Sequence, residues 1–289
     1  TVTLLNDVYL AHFSSDKEEA NYTTTMGALT STSTTCSVGT GTYNVGCLDT
    51  DFSFAGILGN RAVLNKYGEG TMTLTGSSNA CPVNIYGGAI EAANTAKAYT
   101  TGLTTVKSGG KLYGKGIASN VTVEKEGIVA ATKTGLPTAR LKVNGNLTVN
   151  REGVVQVRAR KSTSKVSNDG FEVSGTAKFT SPVFEITLTN DAAWAAGDSI
   201  QVVKTEGRII LTGTPTFIPE IPGEGLLWDD STFATDGTLR VISDGTGINH
   251  LQLTNDNLPL IIFDLTGRKV EAITEKGLYI ISGEKRVIK

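Results

Sequence analysis

The sequence predicts an all-β protein, specifically a right-handed parallel β-helix with a small C-terminal β-module. Three observations support this: the composition, the alternating polarity of short segments, and a motif that recurs along the chain. Threonine accounts for 41 of the 289 residues and glycine for 33, and only 19% are charged. Threonine favours strands and glycine favours turns, so the composition excludes a helical bundle. Glycine shows no three-residue period, which excludes collagen, and a 39% apolar content with a net charge of −2 excludes simple disorder.

The recurring motif is an apolar residue, a polar turn that closes on glycine, and a second apolar residue two positions later. It occurs at 106–112, 123–129 and 149–155, with a shorter version at 85–90. Short strands, a glycine bend and a period near ~20 residues are typical of a β-solenoid. One such coil cannot bury its apolar face alone, but stacked coils form a continuous column.

Aligning these copies predicts which side chains share a column. Val123 should lie over Val149, and Val129 over Val155, with all four facing the interior of roughly ten stacked coils. The uneven spacing fits a solenoid, because insertions at one corner become surface loops; a β-sandwich is the alternative. One segment does not fit the all-strand pattern: the alanine-rich stretch 91–99 favours a short helix.

The central part of the chain resembles a known repeat. The run LNKYGEGTMTLTG at 64–76, followed by GGAI at 87–90, resembles the autotransporter-associated β-strand repeat, and 108–116 is similar to the coil that usually follows it. This resemblance covers 52–243 and implies a passenger-type solenoid on a secreted or surface protein. Three further segments look like the end of such solenoids: 196–200, 225–231 and 236–239.

The last residues have a different character. IFDLTGRKV at 262–270 and KGLYIISGEK at 276–285 resemble the C-terminal end of sorting domains on secreted and surface proteins of Bacteroidetes. The sequence therefore predicts three parts: a parallel β-helix at 1–243, a linker at 244–257 and a sorting-like β-module at 258–289.

Acidic side chains offer the main catalytic candidates. Parallel β-helices often carry pectin-degrading sites in which clustered aspartates bind calcium or act as acid and base. The candidates here are Asp229 with Asp230, and Asn190 with Asp191. Neither pair lies beside a matching arginine or histidine motif, so we predict no catalytic residue.

Metal and nucleophile chemistry have little support in the sequence. Cys36, Cys47 and Cys81 lack CxxC spacing, and Cys36 and Cys47 are either close across a turn or buried free thiols. His12 and His250 lie far apart with no serine or cysteine signature between them. We expect no metal, no cofactor, no nucleic-acid partner and no membrane-spanning segment, and the sequence does not predict the oligomeric state.

The two ends of the solenoid need covers. Trp194 and Trp228 are either sugar-stacking platforms or rings that close one end of the core, and the second interpretation is favoured. At the other end, a strand at 1–5 would leave the core open. We expect that 12–20 folds over this opening or that an upstream segment has been removed.

Charge is distributed in two opposed blocks. Residues 107–165 carry 12 basic and 3 acidic side chains, whereas 166–257 carry 4 basic and 13 acidic. Neighbouring coils could pair these charges, or the charges could simply be solvated. The basic block could also bind an acidic polysaccharide, because guanidinium groups bind carboxylates bidentately. The candidate contacts alternate with inward apolar residues or directly follow them: Arg140, Lys142, Arg158, Arg160 and Lys161.

These observations favour a non-catalytic secreted or cell-surface solenoid of a Gram-negative bacterium. It would act as an adhesin, a stalk or a glycan-contact segment, with an acidic polysaccharide or a host or cell-surface glycan as partner. The alternative is the C-terminal accessory region of a polysaccharide-degrading, pectate-lyase-like enzyme whose active site lies upstream of Thr1.

Overall fold

The protein was examined as a computed structural model, which describes residues 1–10, 22–163 and 165–245 together with four strands between 262 and 288. The chain divides into two compact units, Thr1–Gly247 and Ile248–Lys289. The cover expected at 12–20 lies outside the described residues, as do both histidines. The division predicted at residues 243 and 258 stays a prediction, because 246–261 is also outside them.

The first unit is wound from coils that visit three faces in turn. In the first three coils each face receives a short strand, which pairs in parallel with its equivalent in the next coil. These strands are β1 (Val2–Thr3), β2 (Tyr9–Leu10), β3 (Thr23–Met26), β4 (Leu29–Thr30), β5 (Ser37–Val38), β6 (Gly41–Val45), β7 (Phe52–Phe54), β8 (Ile57–Leu58) and β9 (Ala62–Lys66).

Coils 4 to 6 continue the same winding with little inserted sequence. On the second face, coil 5 contributes a single parallel bridge between Ala98 and Ile117 instead of a strand. The strands of these coils are β10 (Thr71–Leu74), β11 (Val83–Ile85), β12 (Gly88–Ala92), β13 (Thr104–Val106), β14 (Gly110–Gly114), β15 (Ile117–Ala118) and β16 (Val121–Val123).

Coils 7 to 9 are longer, because segments are inserted between the first and second faces. β20 extends beyond the coil and forms an antiparallel hairpin with β21. The strands are β17 (Ile128–Ala130), β18 (Arg140–Val143), β19 (Leu147–Val149), β20 (Val154–Lys161), β21 (Val166–Asn168), β22 (Gly170–Val173), β23 (Ala177–Thr180), β24 (Val183–Asn190), β25 (Ser199–Gln201), β26 (Val203–Thr205) and β27 (Ile209–Thr212).

The stacked strands form three faces. Face 1 runs β7-β10-β12-β14-β17-β20-β24 and ends on β28 (Thr216–Ile218). Face 2 contains β2-β5-β8 and, further along, β15-β18-β22-β26. Face 3 is a nine-stranded stack from β3 to β27. This arrangement confirms the predicted parallel β-helix, with nine coils in the described part of the chain.

The predicted columns are confirmed by the strand register. Val123 pairs with Val149 on face 3, and Val129 pairs with Val155 on face 1. All four side chains are fully buried. Alternation therefore sets the inward face of each strand, and stacking converts it into a continuous apolar core.

A cap of aromatic rings closes the far end of the first unit. It comprises β25, β29 (Leu226–Asp229), α1 (Phe233–Asp236) and β30 (Thr238–Ser243), with β30 pairing antiparallel to both other strands. The rings of Trp194 and Trp228 lie 6.5 Å apart and are 7% and 8% exposed. Phe233 packs edge-on against Phe179 at 5.4 Å. The tryptophans therefore cover the core, as the favoured interpretation predicted.

The short helix predicted at 91–99 is wrong. Glu91 and Ala92 lie in β12, paired with Thr73 and Leu74 of the preceding coil. Tyr99 is buried in the core. Its hydroxyl group forms a hydrogen bond with that of Thr104, with 2.6 Å between the two oxygens. The parallel ladder overrides the local helix propensity of alanine, which is a weak effect.

The second unit contains a four-stranded antiparallel sheet, which agrees with the predicted C-terminal β-module. Its order is β32-β31-β33-β34. The strands are β31 (Ile262–Phe263), β32 (Lys269–Val270), β33 (Gly277–Ile281) and β34 (Glu284–Ile288).

Candidate functional site

The basic residues of β20 point away from the core because the strand alternates. Val157 and Ala159 are fully buried, while Arg158 and Arg160 lie on the outer side of face 1. Lys161 ends the strand and faces the inserted segment that follows β24. The structure therefore presents Arg158 and Arg160 outward, as the alternation predicted, whereas Lys161 belongs to the strand and not to the loop that follows it.

Arg158 is held by three hydrogen bonds, one of which is also an ion pair. Its Nε lies 2.8 Å from Oδ2 of Asp169, and its terminal nitrogens donate to the carbonyl oxygens of Gly135 at 3.0 Å and Thr134 at 3.1 Å. Asp169 is only 1% exposed, and its other oxygen accepts from the backbone N–H of Ala139 at 2.9 Å. This cluster ties the inserted segment of coil 7 to the hairpin of coil 8.

The next two cations bind aspartates of the acidic block. Arg160 donates through two nitrogens to Oδ2 of Asp191, at 2.6 and 3.0 Å. Lys161 Nζ lies 2.5 Å from Oδ2 of Asp198, which also accepts from the backbone N–H of Ala195 at 2.7 Å. The Lys161–Asp198 pair is largely buried, with 16% of each side chain exposed.

Arg140 and Lys142 lie on β18, on face 2 rather than face 1. Arg140 passes over Gly170 and donates to the carbonyl oxygen of Gln201 at 2.8 Å; a Cβ at Gly170 would clash with its guanidinium. Burial lowers the pKa of Arg140. Lys142 faces Glu172 of the next coil, with 3.9 Å between Nζ and Oε2.

The five candidate cations are thus divided between two faces, and each has a partner within the chain. Four of them face aspartates or glutamates of residues 166–257. The alternative in which neighbouring coils pair these charges is confirmed for Lys142, Arg160 and Lys161, whereas Arg158 pairs with an aspartate of its own coil. Contact with an acidic polysaccharide stays a prediction.

Sequence reasoning missed a groove on face 2. It is open, with a volume of about 330 Å³. One column beside it is formed by the outward residues Lys142, Glu172 and Lys204, which are in register on β18, β22 and β26. The other column lies two residues further along each coil, directly after the end of each strand. Its three members are Asn144, Ser174 and Glu206.

A weak sequence signal marks this groove. Each member of the second column precedes a glycine, in the triplets NGN at 144–146, SGT at 174–176 and EGR at 206–208. Gly175 donates its N–H to the carbonyl oxygen of Gly145 at 2.8 Å, so the three corners stack closely. The triplets are 30 and 32 residues apart, which hides them from a search for one constant period.

One lysine is fully buried in the inward column of face 3. Lys66 lies between Val45 and Ile85 in the register, and its Nζ donates to the carbonyl oxygens of Tyr67 at 2.5 Å and Gly68 at 3.1 Å. Burial lowers its pKa, because a desolvated ammonium is disfavoured. The carbonyls of the turn therefore replace the water that this cation would otherwise bind.

Two of the four catalytic candidates, Asp229 and Asp191, have structural contacts. Asp229 Oδ1 accepts from the backbone N–H of Ser231 at 3.0 Å, and this bond lowers the pKa of Asp229. Asp191 is the partner of Arg160, and the side chain of Asn190 is outside the described residues.

Within the described part of the chain, no cluster of three or more histidine, cysteine, aspartate or glutamate side chains could hold a metal ion. Cys36 and Cys81 are buried free thiols, and Cys47 is an exposed one. No helix among the described residues is both long enough and apolar enough to span a membrane.

Comparison with known proteins adds no relative. No protein-family model matches the chain, and no curated protein matches its sequence. The fold and the contacts above are therefore the basis for any function.

Proposed function

We propose that the chain is a non-catalytic β-helical segment of a secreted or outer-surface protein of a Gram-negative bacterium, acting as a stalk or adhesin that contacts glycans. The observation that carries the proposal is the stack of nine coils formed by the described residues of the first unit. With about 4.8 Å between coils, the stack spans roughly 40 Å. A parallel stack of this kind presents long, regular outer faces, which suit a spacer or a docking surface.

The polar side chains support a structural role. The charged groups that could have formed a reactive centre are engaged in holding coils and inserted segments together, as in the pairs of Arg158 with Asp169 and Lys161 with Asp198.

The proposed location rests on the resemblance of 258–289 to sorting domains and of 52–243 to passenger-type repeats. It is tested in the native host by antibody labelling of intact cells and by protease shaving, with and without deletion of 258–289. We expect surface exposure that is lost on deletion. Retention of the intact protein inside the cell would overturn the location, and unchanged export after deletion would remove the sorting role.

The adhesive role is tested with beads coated with the whole chain, applied to purified neutral and acidic polysaccharides and to host cells. Beads coated with unfolded chain are the control. We expect retention of the folded chain on at least one glycan surface. Depolymerisation of a polysaccharide by the native full-length protein would instead favour the alternative, an accessory region of a degrading enzyme.

A further inference from the structure

The groove on face 2 has the geometry of a ligand site. Its two columns stand on either side of the backbone of Val143, Val173 and Thr205, so the floor is formed by three successive coils. Residues two apart in a strand lie on the same face and roughly 7 Å from each other, which sets the width between the columns. The volume of about 330 Å³ is at the lower end of the range for small-ligand sites.

The chemistry of the two columns alternates along the groove. Coil 7 presents Lys142 opposite Asn144, and coil 8 presents Glu172 opposite Ser174. The third pair, Lys204 opposite Glu206, belongs to coil 9. In the first column ammonium donors and a carboxylate acceptor therefore alternate every ~4.8 Å along the axis, while the second column runs from an amide through a hydroxyl to a carboxylate. The two lysines balance the two glutamates.

The last of these pairs is open. Lys204 and Glu206 are both exposed, and neither forms an ion pair within the described part of the chain, although they line the same groove. Lys142 and Glu172 are 3.9 Å apart, at the outer limit of an ion pair. Those two side chains belong to one column, and in the other column Ser174 donates to Oδ1 of Asn144 at 3.4 Å. Lys204 and Glu206 stand in opposite columns and so remain free to bind a molecule lying between them.

We propose that this groove binds an uncharged glycan chain lying along the coil axis, through hydrogen bonds to the sugar hydroxyls. A hydroxyl both donates and accepts, which matches a site where ammonium, amide and hydroxyl donors alternate with carboxylate acceptors. A polyanion would meet Glu172 and Glu206, and a polycation would meet Lys142 and Lys204, so the balanced charge favours a neutral ligand. The inference rests on the proposed glycan contact and names its site and ligand class.

The test begins with an array of neutral and uronate oligosaccharides, followed by calorimetric titration of the strongest binder at low and high salt. The proteins are the whole chain, Lys204→Met, Ser174→Trp and a control, Lys178→Met. Lys178 is an exposed lysine on face 3, away from the groove. Circular dichroism establishes whether each variant is folded. If Ser174→Trp does not fold, Lys204→Met still tests the groove, because Lys204 is exposed.

We expect a neutral oligosaccharide to bind with an affinity that changes little with salt, because no net charge is involved. Lys204→Met should weaken binding about tenfold, Ser174→Trp should abolish it by filling the groove, and Lys178→Met should leave it unchanged. If all three variants retain binding, the proposal that the groove is the binding site is wrong, although the proposed glycan contact is still supported. Binding only to uronates, falling with salt, would overturn the neutral ligand, and no binding by the unaltered chain would remove the glycan contact itself.

Discussion

In coils 4 to 6, successive strands of face 1 are offset by 17 to 22 residues, whereas from coil 7 to β28 they are offset by 26 to 33. The earlier coils are similarly short, and they repeat polar contacts at one position: across coils 2 to 4, Asn65 donates to Asn44 and Asn84 donates to Asn65, both at 2.9 Å. Ion pairs occur in both regions, as in Lys107–Glu124 between coils 5 and 6, but in the long coils pairs such as Arg158–Asp169 fix inserted segments. The two regions share a core but differ in what stabilises their surface.

This difference shows where charge is needed in a solenoid. A short coil has its backbone donors and acceptors satisfied by the coils above and below, so its outer side chains need only match their neighbours. An inserted segment has no ladder of its own. Its backbone must be satisfied from elsewhere, which is what Arg158 does for Thr134 and Gly135, and Asp169 for Ala139.

The largest expected effect is on the core that both regions share. Val123→Asp places a carboxylate in the inward column of face 3, where Val106 and Val149 are its neighbours and no partner exists. We expect a loss of several kcal/mol in the free energy of unfolding, or no folding. Chemical denaturation measured by circular dichroism checks this, with Thr122→Asp, one position away on the outer side, as the control. Equal stability of the two variants would contradict the column.

The core was predictable because its determinants are local. Alternation within each strand gives the inward face, and the glycine-closed turn gives the register, so Val123 could be placed over Val149 from sequence alone. The same reasoning failed at 91–99, where the alanines are inward or corner residues of coil 5 and not one side of a helix. A local propensity could not reveal that neighbouring coils provide a ladder there.

The outer contacts were only partly predictable. Alternation in β20 gave the outward direction of Arg158 and Arg160, and the acidic composition of 166–257 suggested where partners would be found. The pairs themselves join residues 11 and 31 positions apart. Those separations depend on the length of each insertion, which follows no period. The groove on face 2 was missed for the same reason.

The next effect concerns the long coils alone. Arg158→Ala leaves Asp169, 1% exposed, without its cation, and two carbonyl groups of the coil 7 segment without their donor. Removal of one partner of a buried pair costs about 3–5 kcal/mol, so we expect a loss near the lower end of that range because Arg158 is 21% exposed.

Denaturation of Arg158→Ala should be compared with Arg158→Ala/Asp169→Asn, which removes the uncompensated charge. We expect the second variant to regain part of the stability. Increased cleavage at 131–139 in limited proteolysis should accompany the loss. Unchanged stability in Arg158→Ala would show that the cluster is not what fixes the inserted segment.

Alkaline pH should act on the shorter coils. Burial raises the pKa of Tyr99 and raises those of Tyr43 and Cys81 to about 12. In each case the folded chain keeps the neutral form while the unfolded chain ionises near the ordinary value of 10.0 for tyrosine and 9.0 for cysteine. The stabilising contribution is therefore complete below those values and is lost as pH rises toward the folded pKa.

Tyr99→Phe isolates one of these groups. Loss of the hydrogen bond to Thr104 should lower stability by about 1 kcal/mol at neutral pH. Above pH ~10 the unaltered protein should lose up to about 1.4 kcal/mol per pH unit for Tyr99, a contribution that the variant lacks. Urea unfolding from about pH 8 to about pH 11 should therefore show the two stabilities converging. Parallel curves would mean that Tyr99 ionises equally in both states.

The smallest expected effect is that of Arg160→Ala, and it also separates the structural role of the basic block from a binding role. Arg160 and Asp191 are exposed, with 38% and 47% of their side chains accessible, so the pair should contribute less than about 1 kcal/mol and less still at high salt. Arg160→Ala should therefore unfold almost as the unaltered protein does, unlike Arg158→Ala. Because its fold is preserved, the variant gives a clean measurement of acidic-glycan binding at low ionic strength. A loss of binding with unchanged stability would support the predicted contact, whereas equal binding by both proteins would leave Arg160 with only its aspartate as a partner.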